Sequence, residues 1–353
     1  MMNDNSRDNE VNITDTVLQF SQGLISKAEY INEMYRKHHY KLFQYSEHLK
    51  SSNISRIDIL DGQVIMTTRD KGAKFICSEG DYRIAPIEIL NFADYEKENG
   101  IIIDCLLKDN DIFFDVGANL GWYSINIALS HPKVKIYCFD PIPNTYNFLI
   151  KNLKLNGLSQ IHAHNFAFSN TVGELEFFYY KEGSGNASLV NLSERDDIEK
   201  IKCRSETIDE FTLREEIGID FLKCDVEGAE LKVFQGGLAT ITRDKPIVFS
   251  EILRKWSRKL GYDPNEIFSF FYDLQYRAFT AVDRDSSRLT SRARELGSTN
   301  KGNKLEEVIK KRGGGGSGLL QGFDTMDDAT THTNFFFLHK DKHRDLINRY
   351  CIG

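Results

Sequence analysis

Short apolar segments alternate with segments of helical periodicity after Asn110, and this alternation restricts the fold more than any other feature of the sequence. Each apolar segment has the length of a buried β-strand, and the segments between them are long enough for helices. The predicted strands are residues 112–114, 135–139, 161–164, 219–224, 247–250 and 334–339. Strands that alternate with helices form a mostly parallel sheet, because each helix carries the chain back across one face. The sequence therefore predicts an α/β fold with helices on both faces of the sheet.

The first hundred residues follow a different pattern. Apolar residues recur at helical spacing between residues 17 and 35, and Ser26 with Glu29 has the form of a capping box. Asp61-Gly62 separates two strand-like segments and suits a two-residue β-hairpin, because both residues tolerate positive φ. We therefore expect an N-terminal helical and β-hairpin module at residues 1–100, which covers the site or mediates formation of a homodimer.

Charged and small polar residues dominate the segment 283–318, which ends in a glycine-rich run at residues 313–318. Such a composition cannot bury a core, so we predict a flexible loop over the site or a tether. The glycine run resembles a cloning linker, and we assign no function to it.

The charge and composition exclude several classes of partner. The net charge is −7, with 45 basic and 52 acidic residues, which argues against nucleic acid as a partner. No segment reaches the roughly 20 apolar residues of a membrane span, and the polar N-terminus lacks the form of a secretory signal. The six cysteines include no C-x-x-C pair, which favours reduced thiols. We expect a cytoplasmic protein without a membrane span.

A glycine turn, residues 115–121, follows the first strand of the sheet and precedes a helix-like segment. Gly117 and Gly121 let the backbone approach a ligand closely, and the N-terminus of the following helix favours an anionic group. The spacing is G-x-N-x-G, which differs from the G-x-G-x-x-G of dinucleotide-binding proteins. A tight strand-to-helix turn without a ligand is the alternative interpretation.

Asp140 ends the next strand, about twenty residues after Gly121, where an acidic residue accepts hydrogen bonds from ribose hydroxyls. With Pro141 it is also compatible with a simple strand terminator. Together with the glycine turn, Asp140 predicts a nucleoside-containing cofactor at the carboxyl edge of the sheet.

The segment from Asp225 to Glu230 follows the fourth strand and adds carboxylates at the same edge. In this order the motifs resemble the FkbM family of S-adenosylmethionine-dependent methyltransferases, over about residues 111–253. The matching residues are Asp115 to Gly121, Phe139-Asp140-Pro141, Asn156-Gly157, Asn165 to Ser169, Gly173, Thr207-Ile208-Asp209, Leu222 to Glu230 and Glu251. Asp140 stands where the family usually has a glutamate. The resemblance implies a Rossmann-like, seven-stranded class I methyltransferase sheet within residues 101–353.

The resemblance also implies a pose for S-adenosylmethionine. The glycine turn would face the methionine portion, with Asp115 attracting its ammonium, while Asp140 binds the ribose. The adenine would lie near the end of the third strand. The predicted cofactor-binding residues are Asp115, Gly117, Ala118, Asn119, Gly121, Asp140, Asn165 and Ala167.

Methyl transfer to a hydroxyl needs a general base or a metal, because a neutral oxygen is a poor nucleophile. Asp225 and Glu251 end two strands that should be neighbours, and we expect them to act as base or to orient the acceptor, with Glu227 in reserve. Alternatively, Asp225 caps the following helix and Glu251 pairs with Lys223 or Arg254. A Mg²⁺ ion between Asp225 and Glu251 is not favoured, because two carboxylates are an incomplete ligand set.

Asn186 lies in a loop of glycines and small polar residues and is the predicted substrate contact. The acceptor implied by the resemblance is a small molecule or glycan, methylated on a hydroxyl of a carbohydrate or secondary metabolite. An NAD(P)-dependent oxidoreductase would share the glycine turn and Asp140, but its short-chain type needs a lysine four residues after a tyrosine, which no tyrosine here has. A non-catalytic cofactor-binding assembly module is the other alternative.

Overall fold

Helices and a small antiparallel sheet form the first part of the protein, in a computed structural model that describes residues 12–180, 183, 185, 187–191, 198–282, 319–327 and 329–352. The helices are α1 (Ile13–Ser21), α2 (Lys27–Glu33) and α3 (Tyr40–His48), with a π-helical turn at Met34–His39 and a short 3₁₀ turn at Leu49–Ser51. The strands are β1 (Ile54–Leu60), β2 (Gln63–Thr68) and β3 (Lys74–Cys77). The capping box at Ser26 and the hairpin at Asp61-Gly62 lie where the sequence predicts them.

Two helices, α4 (Ala85–Phe92) and α5 (Lys97–Leu106), join this part to the rest of the chain. The expected module boundary at residue 100 falls inside α5. The remaining elements are β4 (Ile112–Val116), α6 (Trp122–Ser130), β5 (Lys135–Phe139), α7 (Pro143–Leu155), β6 (His162–His164), β7 (Ala167–Phe168), β8 (Gly173–Tyr179), β9 (Glu199–Glu206), α8 (Ile208–Arg214), β10 (Phe221–Cys224), α9 (Glu230–Gln235), α10 (Leu238–Asp244), β11 (Ile247–Glu251), α11 (Arg254–Lys259), α12 (Asn265–Asp273), β12 (Tyr276–Ala281), β13 (Leu320–Phe323), β14 (Asn334–His339), α13 (Arg344–Tyr350) and β15 (Cys351–Ile352).

A mixed sheet of nine strands, in the order β15-β13-β12-β14-β11-β10-β4-β5-β6, is the centre of the described structure. The five strands from β11 to β6 run parallel, whereas β14 is antiparallel to both of its neighbours. The α/β prediction is confirmed, and the short strands β13 and β15 extend the sheet beyond the seven strands that the resemblance implies. A smaller sheet, β7-β9-β8, follows β6 in the chain.

The alternation of side chains along the strands builds a core on each face of the sheet. Phe113 belongs to the cluster on the α6 and α7 face, whereas its neighbour Phe114 belongs to the cluster on the opposite face with Phe211 of α8. Both phenylalanines of β4 are fully buried. The sheet is therefore covered on both faces, and its strand ends are the places left for polar groups.

Two asparagines one turn apart on α7 fasten β3 to the main sheet's helical layer. Asn152 accepts a hydrogen bond from the Ile76 N–H at 2.8 Å and donates one to the Leu120 carbonyl at 3.0 Å. Asn156 accepts a hydrogen bond from the Lys74 N–H at 2.8 Å and donates one to the Lys74 carbonyl at 2.7 Å. The N-terminal strands are thus hydrogen-bonded to the helix that follows Asp140, and Asn152 also holds the glycine turn.

The strand order of the sheet reverses between β4 and β10. Strands β5 and β6 follow β4 on one side of it, and the later strands β10 and β11 lie on its other side. Ligands of parallel α/β sheets bind at the carboxyl ends of the strands at such a point. The fold therefore places its candidate site where β4 and β10 end.

Candidate active site

A buried ion pair joins β4 to β10 directly beneath the carboxyl edge of the sheet. The Lys223 ammonium lies 3.1 Å from a carboxylate oxygen of Asp115, and these side chains are 3% and 0% exposed. It also donates a hydrogen bond to the Gly117 carbonyl at 2.7 Å and lies 3.8 Å from the Asp225 carboxylate. Burial alone would lower the pKa of Lys223, but the carboxylates of Asp115 and Asp225 outweigh it and raise that pKa. Lys223 therefore stays charged and holds the two strand ends together.

Asp115 lies under the cleft rather than in its wall. Its other oxygen accepts hydrogen bonds from the backbone N–H of Ser124 at 3.1 Å and from the Ser124 hydroxyl at 2.7 Å. The carboxylate thus anchors the start of α6 and neutralises Lys223, which is a structural role. Any attraction for the ammonium of the expected cofactor would act from beneath the cleft.

The glycine turn is shaped by its contact with the end of β10. Gly117 has φ +76°, and a Cβ placed there would lie 1.8 Å from the Asp225 carbonyl oxygen. Gly121 has φ +92°, and its Cβ would lie 2.7 Å from a methyl carbon of Leu149. Gly117 is therefore required by its contact with backbone, and Gly121 is favoured by its left-handed φ, whether or not a ligand is bound.

Asp140 is held by backbone donors at the end of β5. One oxygen accepts a hydrogen bond from the Asn119 N–H and the other from the Ile142 N–H, each at 3.0 Å. Burial raises the pKa of Asp140 to about 7, against the lowering effect of these two hydrogen bonds. A carboxylate oxygen has a second lone pair, so Asp140 can still accept hydrogen bonds from a ligand.

A single cleft brings the strand ends together and contains about 700 Å³ of space, including its open part. Its polar end is formed by Gly117, Asn119, Asp140, Asp225 and Glu227. Its apolar end is formed by side chains from β5, the small sheet and the loop after it, namely Phe139, Pro141, Ile142, Phe166, Ala167, Phe168, Leu175, Phe177, Ala187 and Leu189.

Several carboxyl groups surround the ends of β10 and β11; Asp225 and Glu227 line the cleft, whereas Glu251 and Glu96 lie near them and are not among its lining residues. Burial, together with the nearby Asp225, Glu227 and Glu96, raises the pKa of Glu251 to about 10. Burial, with Asp225 and Glu230, also raises the pKa of Glu227 well above its usual value. The side chain of Asp225 is 35% exposed. Burial and the neighbouring carboxylates therefore favour the protonated forms of Glu251 and Glu227.

Glu230 fixes the turn that carries these acids. It is 1% exposed, and one of its oxygens accepts hydrogen bonds from the Val226 N–H at 3.1 Å and the Gly228 N–H at 3.0 Å. Helix α9 begins at Glu230, Ala229 occupies its N-cap, and no described side chain caps it. The alternative that Asp225 caps this helix is therefore wrong.

Sequence reasoning missed Glu96, which comes from the segment before the sheet. Glu96 has φ +50°, and its carboxylate accepts hydrogen bonds from the Tyr123 hydroxyl at 3.0 Å and from the Asn99 amide. The ring of Tyr123 in turn lies 5.6 Å from the Lys223 ammonium. No local pattern in the sequence indicates this contact. The sequence could have indicated the Lys223 pair, because a lysine inside an otherwise apolar strand must have a buried partner. That partner is Asp115 rather than Glu251.

The remaining predicted residues lie in different places. Ala167 lines the cleft, whereas Ala118 is buried in the core of the α6 face. Asn165 is exposed and does not line the cleft, because its amide donates hydrogen bonds to the carbonyls of Asp140 and Pro141 at 2.9 and 3.0 Å. Asn186 and the loop 283–318 lie outside the described residues.

Within the described part of the chain, no group of three or more His, Cys, Asp or Glu side chains is arranged to hold a metal ion. Over the same residues, no helix combines the length and the apolar character needed to cross a bilayer.

Comparisons with known proteins show what this part of the chain is similar to. Residues 115–278 match the methyltransferase FkbM domain, which confirms the predicted resemblance and favours a methyltransferase over a nicotinamide-dependent reductase. The chain is 33% identical over 159 residues to methyltransferase sdnD of Sordaria araneosa, covering 37% of this chain and 61% of that protein. It is 25% identical over 146 residues to methyltransferase 1 of Beauveria bassiana, covering 36% and 59%. It is 24% identical over 159 residues to the 2-O-methyltransferase NoeI of Sinorhizobium fredii, covering 41% and 64%. The chain thus spans about three fifths of the length of these relatives.

The ion pair beneath the cleft can be tested by a double-mutant cycle. Asp115→Asn leaves the Lys223 ammonium buried without its partner and should lower the free energy of unfolding by about 3–5 kcal/mol. Lys223→Met leaves the Asp115 carboxylate buried without its partner and should cause a similar loss. The double variant should lose clearly less than the sum of the two single losses, because it buries neither charge. Denaturant unfolding measures all four proteins, and additive losses would contradict the pair.

The packing of the glycine turn can be tested with two alanine variants at positive φ. Gly157 has φ +69° and nothing within 4 Å of its Cβ position, so Gly157→Ala should cost only the backbone strain, about 1–2 kcal/mol. Gly117→Ala adds a collision with the Asp225 carbonyl and should cost at least twice as much, about 3 kcal/mol or more. Equal losses in thermal or denaturant unfolding would show that the contact at Gly117 is unimportant.

Proposed function

Because residues 115–278 match the methyltransferase FkbM domain, we propose that this chain transfers a methyl group from S-adenosylmethionine to a hydroxyl of a carbohydrate or secondary metabolite. The observation that carries the proposal is the cleft in which Gly117, Asp140 and Asp225 face the same space. The name of the relative NoeI, a 2-O-methyltransferase, supports oxygen as the acceptor atom.

The residues of the cleft fit the cofactor. Asp140 has acceptor capacity for ribose hydroxyls, and the apolar end beside Phe166 and Ala167 offers a surface for adenine. The Oδ1 atom of Asn119 and the Oε2 atom of Glu227 are buried without a hydrogen-bond partner among the described residues. Buried acceptors of this kind are normally satisfied by a ligand or by water. Asn119 would therefore accept a hydrogen bond from the ammonium of the methionine portion.

The carboxyl groups divide the remaining work between them. S-adenosylmethionine supplies, when bound, a methyl group attached to a positively charged sulfur. Glu251 is protonated at neutral pH, so it cannot take the acceptor's proton but can donate a hydrogen bond to the acceptor. Asp225 has a side chain that is 35% exposed, and its carboxylate lies 3.8 Å from the Lys223 ammonium. We assign the base to Asp225 and the orienting role to Glu251, with Glu227 shaping the wall between them.

Cofactor binding tests the first part of the proposal by titration calorimetry. S-adenosylmethionine and S-adenosylhomocysteine should bind and NADH should not. Asp140→Asn should weaken the affinity for S-adenosylmethionine and for S-adenosylhomocysteine by roughly tenfold or more, because a charge-assisted hydrogen bond is lost. Since the pKa of Asp140 is about 7, affinity should rise from pH 6 to pH 8 in the wild type and lose this dependence in the variant.

Asp109→Asn is the control for this experiment, because it removes an exposed carboxylate that pairs with Lys133 on the surface. It should leave affinity unchanged. NADH binding would favour the reductase, and no binding of any of the three ligands would favour an assembly module whose cofactor pocket is degenerate.

Turnover tests the assignment of the carboxyl groups. Candidate hydroxylated glycans and metabolites are incubated with cofactor carrying an isotopically labelled methyl group, and mass spectrometry identifies a methylated product. With that acceptor, Asp225→Asn should lower turnover by about 10²–10⁴-fold with cofactor affinity largely intact. Glu251→Gln keeps a hydrogen-bond donor and should lower it far less. The reverse order, or an equal loss in both, would contradict the assignment.

A further inference from the structure

The helices α1 to α3 expose an unusual amount of apolar surface. Eleven large apolar side chains in this segment are between 39% and 68% exposed: Ile13, Val17, Leu18, Phe20, Leu24, Ile31, Tyr35, Tyr40, Leu42, Phe43 and Tyr45. In the three helices and the π turn, Thr16 and Met34 are the residues classed as buried among those described. These helices therefore contribute little to the core of the molecule to which they are attached.

The segment folds on itself and is attached to the body at one end. The rings of Phe20 in α1 and Tyr30 in α2 stack at 4.5 Å, so the two helices form a hairpin around the turn after Ser21. At the other end, His48 makes a 2.7 Å hydrogen bond with the Leu90 carbonyl, and Leu49 packs against a small core with Leu90. The helical run from Lys27 to Ser51 is roughly 35 Å long at 1.5 Å per residue.

The spacing of the exposed residues places several of them on one side of α1 and two of them on one side of α3. Ile13, Val17 and Phe20 are four and three residues apart on α1, and Leu42 and Tyr45 are three apart on α3. Residues at these separations lie on one side of a helix. A helix that is apolar on one side and polar on the other is stable when that side packs against other helices.

The exposed area matches what a stable dimer buries. A large apolar side chain presents about 200 Å² when fully open, so eleven that are about half exposed leave roughly 1,000 Å² per copy. A standard interface buries about 800 Å² per partner, whereas the largest apolar patch of a monomer is about 300–600 Å². The segment thus carries too much apolar surface for a monomer and enough for one interface.

The charges on the same helices fit a second copy of the chain. Between Lys27 and Ser51 there are five basic and three acidic residues, so the segment is close to neutral and carries both signs. The acids Glu29 and Glu33 precede the bases Arg36, Lys37 and Lys41. When two such helices meet in antiparallel order about a twofold axis, the acidic part of each faces the basic part of the other.

We propose that α1 to α3 is a homodimerisation hairpin, and that two copies pair their apolar faces as a four-helix bundle. Each copy supplies one helical hairpin, which matches the usual construction of such bundles. The interface is formed by the segment that precedes β1, so the cleft at the sheet edge stays outside it.

The full chain tests this by sedimentation equilibrium and by light scattering after gel filtration. We expect twice the chain mass of 40.6 kDa at micromolar concentration. The double substitution Leu42→Glu with Phe43→Glu should raise the dimer dissociation constant at least 100-fold and give a monomer. Val17→Glu with Leu18→Glu on α1 should do the same. Circular dichroism and cofactor affinity should not change in either variant, because the altered side chains are exposed.

Leu213→Glu is the matched control. Leu213 is 76% exposed on α8, so the variant places a charge on an apolar residue outside the hairpin and should remain a dimer. A monomeric wild type, or a dimer that survives both hairpin variants, would overturn the proposal. Wild-type monomer that floats with vesicles of three parts phosphatidylcholine to one part phosphatidylglycerol would assign the face to a membrane surface instead.

Discussion

The Lys223 ammonium at the centre of the sheet is the interaction on which the site depends. It lies between Asp115 of β4 and Asp225 beyond β10, and it also binds the Gly117 carbonyl of the turn. A buried charge is costly unless paired, so this arrangement fixes both strand ends in one register. It also supplies positive charge beneath a cleft that is otherwise acidic. The close approach of Gly117 to the Asp225 carbonyl is possible because no Cβ is present, so the same contact sets the shape of the turn.

The acidic wall of the cleft follows from that support. Asp225 and Glu227 line the cleft, and Glu251 and Glu96 lie near them. Glu96 is contributed by the segment before the sheet. Burial and mutual repulsion favour the protonated form of Glu251 and Glu227. Neighbouring carboxyl groups in different environments can divide acid and base work between them. The carboxyls that interact with Glu251 come from the turn after β10, the first residue of α9 and the residue before α5, so the wall requires the segment before the sheet to be in place.

The sequence predicted the features that depend on local pattern or on strand order. The helix at Trp122–Ser130, the hairpin at Asp61-Gly62 and the α/β sheet follow from periodicity and turn chemistry. The placement of Gly117, Asp140 and Asp225 around one cleft follows from the rule that parallel strands end at one edge. The pairing of Asp115 with Lys223 and the approach of Glu96 could not be predicted in this way, because each joins residues whose distance in space is set by the completed sheet. The exposed position of Asn165 could not be predicted either. Its amide donates hydrogen bonds to the carbonyls of Asp140 and Pro141, and this contact also depends on the completed sheet.

The central claim is that the cleft at the ends of β4, β5 and β10 holds S-adenosylmethionine. A crystal structure of the protein with S-adenosylhomocysteine tests it most directly. The account predicts density for the ribose within hydrogen-bond distance of Asp140, adenine beside Phe166 and Ala167, and the amino acid end at Gly117 and Asn119. Density for the ligand at any other place, with this cleft holding none of it, would contradict the account.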